Sequence, residues 1–275
     1  MTLGLYTRNG RVLTNSRLLA MFDRLERASF SLRTVSSASD LPGVDMLLSI
    51  GGDGTFLSSS KLLADSGIPV LGINQGRLGF LSEYSPEEAC EALLAGEYSF
   101  EDRGLLKTSV MGDILGDGSD FWPYSLNEVC VHRTGTAILG IDVSLDGNNL
   151  PTYWADGLLV ATSSGSTAYS LSAGGPICSP DAKVLIIVPV APHNLNVRPL
   201  VVPDSTIVTV SMRSRDDSVQ LSMDNREALL SPSSSLAIEV AQFSLKRVRL
   251  EKSSFFKALT TKLFWGEDIR NGEDH

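Results

Sequence analysis

Asp45-Met46-Leu47-Leu48-Ser49-Ile50-Gly51-Gly52-Asp53-Gly54-Thr55 is the stretch on which the fold turns. Residues 45–50 form a short apolar run, as a parallel strand buried on both faces would. The run breaks at Gly51-Gly52, and a helix is expected from Phe56 to Asp65. Toward the N-terminus, Leu3 to Thr7 reads as a strand. Asn15 to Arg27 reads as a helix with Leu18, Leu19, Phe22 and Leu25 on one face. On the other side, Val70 to Asn74 reads as a strand, and Ser85-Pro86-Glu87-Glu88 opens a helix with Ser85 as N-cap and Pro86 at its first position. This alternation predicts βαβ units: an α/β domain over residues 1–100, doubly wound on a Rossmann-like parallel sheet.

The style changes after residue 100. Leu105 to Met111, Ser125 to His132, Ile138 to Leu145, Gly157 to Thr162, Val184 to Val190, Ile207 to Met212, Val219 to Met223 and Leu236 to Val240 read as strands with turns between them. Asp146-Gly147-Asn148-Asn149 is the plainest hairpin signal. An antiparallel all-β sandwich over residues 101–253 follows, with one helix around Ser166 to Ala173. The tail, 254–265, is apolar at helical spacing (Phe255, Phe256, Leu259, Leu263) from Ser254 on, which predicts a helix packed back on one domain. Lys252, Lys257 and Lys262 fall on its wet side.

Bulk properties narrow the function. The chain has 275 residues, 43% of them hydrophobic, enough for two packed cores. Its net charge of −9, with no basic cluster, argues against a nucleic acid partner. Phosphates remain open to it through backbone N–H groups and metal ions. The longest apolar stretch, Val184 to Val190, is too short to cross a bilayer, and the start MTLGLYTRNG lacks the pattern of a secretory signal. No membrane partner is expected. Cys90, Cys130 and Cys178 have no C-x-x-C spacing and read as free thiols of a reducing, cytoplasmic compartment.

Three stretches carry chemistry. In Gly51-Gly52-Asp53-Gly54-Thr55, glycines let the backbone approach a ligand, and the helix N-terminus that follows favours negative charge. A plain strand-to-helix turn explains Gly-Gly but not Asp53. An acid there orients a hydroxyl, accepts its proton or faces a metal ion. The second stretch is Asn127-Glu128 at the head of a strand. Adjacent strand residues point to opposite faces, so either the chain is irregular here or one of the pair is structural. The third runs from Asp156 through Thr162-Ser163-Ser164-Gly165 to Pro176. There Ser166 is placed to cap a short helix, small residues leave room for a planar ligand, and Tyr169 offers a stacking face. A polar loop and a surface helix would account for it equally well.

Taken in order, GGDGT, INQGRLGFL (73–81), NE, DGLLVATSSGSTAYSLSAGGPI and Arg198-Pro199-Leu200 resemble the NAD kinase family of bacterial type. So does a closing helix ending Lys262-Leu263-Phe264-Trp265-Gly266. The likeness spans roughly residues 45–266. GGDGT alone is shared with lipid kinases and phosphofructokinases, whereas STAYSLSAGGPI is specific. The resemblance implies a site in the cleft between an α/β domain and a β-sandwich, and transfer of the terminal phosphoryl group of ATP, or of polyphosphate, to the adenosine ribose 2′-hydroxyl of NAD. It implies Asp53 as the catalytic general base against NAD, with Gly54 beside the dinucleotide and Gly51, Gly52, Gly54 and Thr55 beneath the phosphate donor. Asn127 and Glu128 match contacts to the adenosine ribose and amide groups, and Asp156 an acid near the nicotinamide. Thr167, Ala168, Tyr169, Ser170, Leu171 and Ser172 match the segment lining the dinucleotide, with Ala191 and Arg226 as two further contacts. A divalent cation, Mg²⁺, would arrive with the nucleotide, no protein residue serving as a metal ligand, and members assemble as homodimers or homotetramers.

The chain departs from the family's pattern in places. Thr162-Ser163-Ser164-Gly165 stands where Thr-Pro-Thr-Gly is usual, so a less rigid loop is expected. Trp154 stands where a basic residue is common, Gly76-Arg77-Leu78-Gly79-Phe80 replaces Gly-His-Leu-Gly-Phe, and Arg226 replaces glutamine. A non-catalytic NAD(H) sensor would keep the binding residues without needing Asp53.

Overall fold

The computed structural model describes residues 1–76, 79–116, 121–251 and 255–265. Arg77 and Leu78, Lys252, Ser254 and Gly266, singled out above, lie outside the described residues. The chain divides into two compact units, Met1–Glu101 with Lys246–His275, and Asp102–Leu245. Residues 246–251, which a boundary at 253 assigns to the second domain, count here with the first unit.

The first unit begins β1 (Thr2–Tyr6), α1 (Ser16–Arg27), β2 (Ser31–Thr34), β3 (Met46–Ile50), α2 (Asp53–Leu63), β4 (Val70–Ile73) and α3 (Pro86–Ala95). Its strands lie parallel in the order β2-β1-β3-β4. Leu3, Leu5, Met46, Leu48, Ile50, Leu71 and Ile73 share one core with Leu18, Met21 and Leu25 of α1 and Ala89 and Leu93 of α3. Gly72, between Leu71 and Ile73, turns the other way and meets the Phe56 ring of α2. Helices thus cover both faces, the doubly wound arrangement expected. Each fully buried Leu, Ile or Phe here contributes about 1.5–3 kcal/mol relative to exposure. Strand order reverses between β1 and β3, and the crevice outside their carboxyl ends is where such sheets bind ligands. Thr7-Arg8 and Gly51-Gly52 stand at those ends. The edge strand β2 is mostly exposed and polar, which is why no apolar pattern announces it.

The second unit is built from the part of β5 (Tyr98–Met111) that follows Glu101, and from β6 (Ile114–Leu115), β7 (Tyr124–Ser125), β8 (Glu128–Arg133), β9 (Leu139–Leu145), β10 (Asn148–Asn149), β11 (Tyr153–Ala155) and β12 (Gly157–Thr162). It continues with α4 (Tyr169–Ser172), β13 (Val184–Val190), β14 (Leu200–Pro203), β15 (Val208–Arg213), β16 (Val219–Met223), β17 (Arg226–Leu230) and the head of β18 (Ser235–Leu250), before α5 (Phe255–Leu263) closes the chain. One antiparallel sheet runs β14-β13-β12-β8-β16-β17-β6, and β9, β15 and β18 form the other. Val129, Val131, Leu158, Val160 and Ile187 of the first pack with Ile141, Val143, Val210, Leu236 and Ile238 of the second, a sandwich core. The far end of β18 belongs to the first unit, where Arg247 pairs in parallel with Val70 of β4.

The single helix expected over Ser166 to Ala173 is broken. A 3₁₀ turn covers Ser164–Thr167, Ala168 leaves helical geometry, and α4 is one turn long. Ser166 caps nothing: its buried Oγ donates to the Cys178 carbonyl at 3.2 Å and accepts from the Cys178 N–H at 3.1 Å. No helix among the described residues is long and apolar enough to cross a membrane.

Candidate active site

Asp53 is the first residue of α2, directly after Gly52, which has no side chain with which to cap it. The Asp53 carboxylate reaches away from its own helix to the segment after β4. Oδ2 accepts from the Phe80 N–H at 2.8 Å, and Oδ1 from Leu81 and Ser82 at 3.0 and 2.8 Å. A methyl group on Gly79 would overlap that carboxylate, so glycine is required there. Arg8, at the carboxyl end of β1, brings its exposed guanidinium within 3.8 Å of where a Gly54 Cβ would lie. Sequence reading passed over Arg8, and its only signal is a cation directly after a strand of the pair where the order reverses.

Behind this segment stand two buried cations. Lys262 of α5 has a side chain only 7% exposed, correcting its assignment to the wet face; Lys257 is exposed as expected. The Lys262 Nζ donates to the Gly79 carbonyl, lies 4.4 Å over the Phe80 ring and stands 4.0 Å from Glu83 Oε1. Burial pushes the Lys262 ammonium below its ordinary value, against the pull of Glu83 and Asp53. Arg247 bridges Glu101 at 2.9 Å and Glu83 at 3.2 Å, and donates to the Leu81 carbonyl at 3.4 Å.

In the second unit another acid does similar work. Asp224, at φ +53° in the turn between β16 and β17, accepts from the N–H groups of Leu126 and Asn127 at 2.8 Å each and from Glu128 at 3.4 Å. Consecutive N–H groups of a regular strand point opposite ways, so their convergence makes the chain irregular here. That resolves the alternative left open for Asn127-Glu128. Both residues are buried. The Tyr169 N–H donates to the Glu128 carboxyl, while Oε2 is buried and finds no hydrogen-bond partner among the described residues. Burial, and then the nearby Asp224, push Glu128 up to about 8. A buried carboxylate oxygen without a donor is costly when charged, so this setting favours the protonated form of Glu128. Sequence reading missed Asp224, whose role lies in backbone bonds that no spacing rule reveals.

The turn after β12 packs onto this pair. Thr162 donates from N to the Asn127 carbonyl at 2.9 Å and from Oγ1 to the Leu126 carbonyl at 2.7 Å. A side chain on Gly165 would overlap the Asn127 carbonyl. Ser163 donates to the Pro180 carbonyl at 3.0 Å, a tie for a loop that lacks the usual proline. Thr162, Gly165 and Tyr169 thus meet Asn127 and Glu128 at the head of β8, and Thr167, Ala168, Ser170, Leu171 and Ser172 adjoin them along the same turn and short helix.

Three further expected binding residues lie away from the head of β8, Asp156 among them as an acid expected near the nicotinamide. Asp156 and Ala191 flank the opposite end of β12, and Asp156, five residues along from the Ala161 that pairs with Glu128, lies about 17 Å from it at about 3.3 Å per residue. Asp156 accepts from Arg133 Nε at 2.6 Å, a bond that holds its carboxyl below the usual range. Its N–H donates to the Val190 carbonyl, and Ala191 follows at φ +46°. Arg226 is committed to protein: it donates to the carbonyls of Trp122 and Tyr124 and lies 4.8 Å from the Trp122 ring.

Comparison with known proteins agrees with both halves. Residues 15–98 match the ATP-NAD kinase N-terminal domain, and residues 126–250 the ATP-NAD kinase C-terminal domain. The NAD kinase of Flavobacterium psychrophilum is 38% identical over 268 residues, covering 96% of this chain and 90% of that protein. The NAD kinase of Bacteroides fragilis is 42% identical over 230 residues, covering 82% and 78%. An Archaeoglobus fulgidus NAD kinase solved in complex with ATP superposes with a TM-score of 0.75 at 26% identity, over 92% of this chain and 95% of that one. The yeast NADH kinase complexed with NADH shares the fold, with a TM-score of 0.83 at 22% identity over 98% and 89%. With both domains matched and relatives near 40% identity along most of its length, the chain belongs to the NAD kinase family and phosphorylates NAD.

Proposed function

We propose that, in this reaction, Asp53 aligns the adenosine ribose 2′-hydroxyl of NAD for in-line attack on the terminal phosphorus of ATP. The new bond joins the ribose oxygen to phosphorus, the bond to the β-γ bridging oxygen breaks, ADP leaves, and the hydroxyl proton is released. The observation that carries the reading is the Asp53 carboxylate, fixed by three N–H donors at the head of α2 beside the Gly51-Gly52 turn. Phosphoryl transfer passes through a loose transition state, where positioning and charge neutralisation outweigh proton abstraction. A side chain whose two oxygens are both occupied is better suited to alignment than to taking a proton outright. Arg8 and the first N–H groups of α2 face the donor phosphates. Within the second unit, Asn127, Glu128 and Tyr169 are proposed to bind the dinucleotide, with a protonated Glu128 available as a hydrogen-bond donor.

Mg²⁺ is proposed to enter on the nucleotide phosphates. Among the described residues no group of three His, Cys, Asp or Glu could cage it, and Asp53 has both oxygens engaged. ATP as donor is supported by the ATP complex of the Archaeoglobus relative. The test is the product: incubation with NAD, ATP and Mg²⁺ should give a compound that an NADP-specific dehydrogenase accepts and whose phosphorus NMR shows a 2′-monoester. A phosphorylated product that the dehydrogenase rejects would contradict the position assigned.

A further inference from the structure

The C-terminal helix is tied to the segment that holds Asp53. The three donors to the Asp53 carboxylate are successive backbone N–H groups, Phe80 to Ser82, with no helix or strand of their own. A backbone bond from the Gly79 N–H to the Ser82 carbonyl at 3.1 Å closes the turn, and side chains of α5 and β18 hold it from outside. Lys262 Nζ bonds the Gly79 carbonyl and covers the Phe80 ring, and Arg247 bonds the Leu81 carbonyl. Both cations share Glu83, which follows Ser82, at 4.0 and 3.2 Å. The segment is therefore gripped just before, within and just after the three donors. Among the described residues Lys262 is the grip that α5 supplies, and nothing in the phosphoryl transfer calls for it directly.

We infer that Lys262 is a positioning residue: it holds Gly79–Ser82 in the conformation whose N–H groups aim Asp53, making α5 part of the catalytic apparatus without touching substrate. The inference rests on the reading of Asp53 given above, but the tether itself can be read without any substrate. Lys262→Met keeps an apolar stem of similar length and removes the ammonium. Lys262→Arg keeps a donor for the Gly79 carbonyl and a cation for the Phe80 ring.

Amide hydrogen exchange on the full chain reads the tether. In Lys262→Met the protection of the Phe80, Leu81 and Ser82 amides should fall at least about tenfold, while residues 46–50 of β3 keep theirs. The kcat should fall about 10- to 100-fold, the effect of a small misplacement of a reacting group, with KM for NAD within about threefold. Lys262→Arg should recover most of both losses. Unchanged exchange at residues 80–82 would overturn the proposal. So would a loss of protection spread evenly across the first unit, or an intact kcat in Lys262→Met despite released amides. Should the wild type show no kinase activity, the functional reading falls, and the exchange data alone still decide whether Lys262 holds the segment.

Discussion

A single hydrogen in place of a methyl group at Gly79 lets Asp53 reach its three N–H donors. Gly79→Ala forces the carboxylate or the segment to shift, and overpacking of this kind costs about 1–3 kcal/mol. Thermal melts should show that loss, and kcat should fall at least about tenfold because the displaced group is the aligning acid. A Gly79→Ala chain with wild-type kcat would show that the bonds to Phe80, Leu81 and Ser82 are not needed. At this scale Asp53 was legible, since an acid in a phosphate-binding turn needs a reason. Its partners were not, because a backbone N–H has no residue type. Lys262 was misread as wet for a related reason. It adjoins the Leu259–Leu263 stripe of α5, and a lysine stem can lie along apolar surface with its ammonium drawn inward by buried acceptors.

Among the elements, the head of β8 carries a consequence of pH. Glu128 titrates near 8 in the folded chain, against an ordinary value of 4.5, so the native state holds a proton that the unfolded state releases between those values. For a carboxyl shifted upward, stability is highest at the acid end of that window and is lost as pH rises through it. The slope for one proton is at most about 1.4 kcal/mol per pH unit. Urea midpoints measured from pH 5 to 8 should decline for the wild type, and Glu128→Gln should flatten that decline. Equal slopes in the two proteins would mean that Glu128 is ionised throughout. Element reading from sequence worked where periodicity and punctuation agreed, as at Ser85-Pro86 opening α3 and Gly51-Gly52 ending β3. It failed at α4, where the residues suit a helix but the close approach of Gly165 to Asn127 and the burial of Ser166 break one.

For the molecule as a whole, the change of style near residue 100 located one crossing of the chain, at 101/102. The return crossing at 245/246 was hidden, because it falls inside β18, a 16-residue strand without glycine or proline to mark a break. Only packing distinguishes its two ends: Leu236 and Ile238 belong to the sandwich core, and Val248 and Leu250 to the core of the parallel sheet. Through that strand and α5 the C-terminal segment supplies Arg247 and Lys262 to the unit that carries Asp53. Nothing in composition or spacing announces that supply.

The central claim is that Asp53 aligns the reacting hydroxyl and contributes little to holding NAD. Its most direct test compares the wild type with Asp53→Asn for kcat, using ATP, Mg²⁺ and an NADP-specific dehydrogenase as reporter, and for NAD affinity by calorimetry. We predict a kcat lowered by about 10²–10⁴-fold with NAD affinity kept within a few-fold. An Asp53→Asn enzyme that turns over at the wild-type rate, or that loses NAD binding in proportion to activity, would contradict the account.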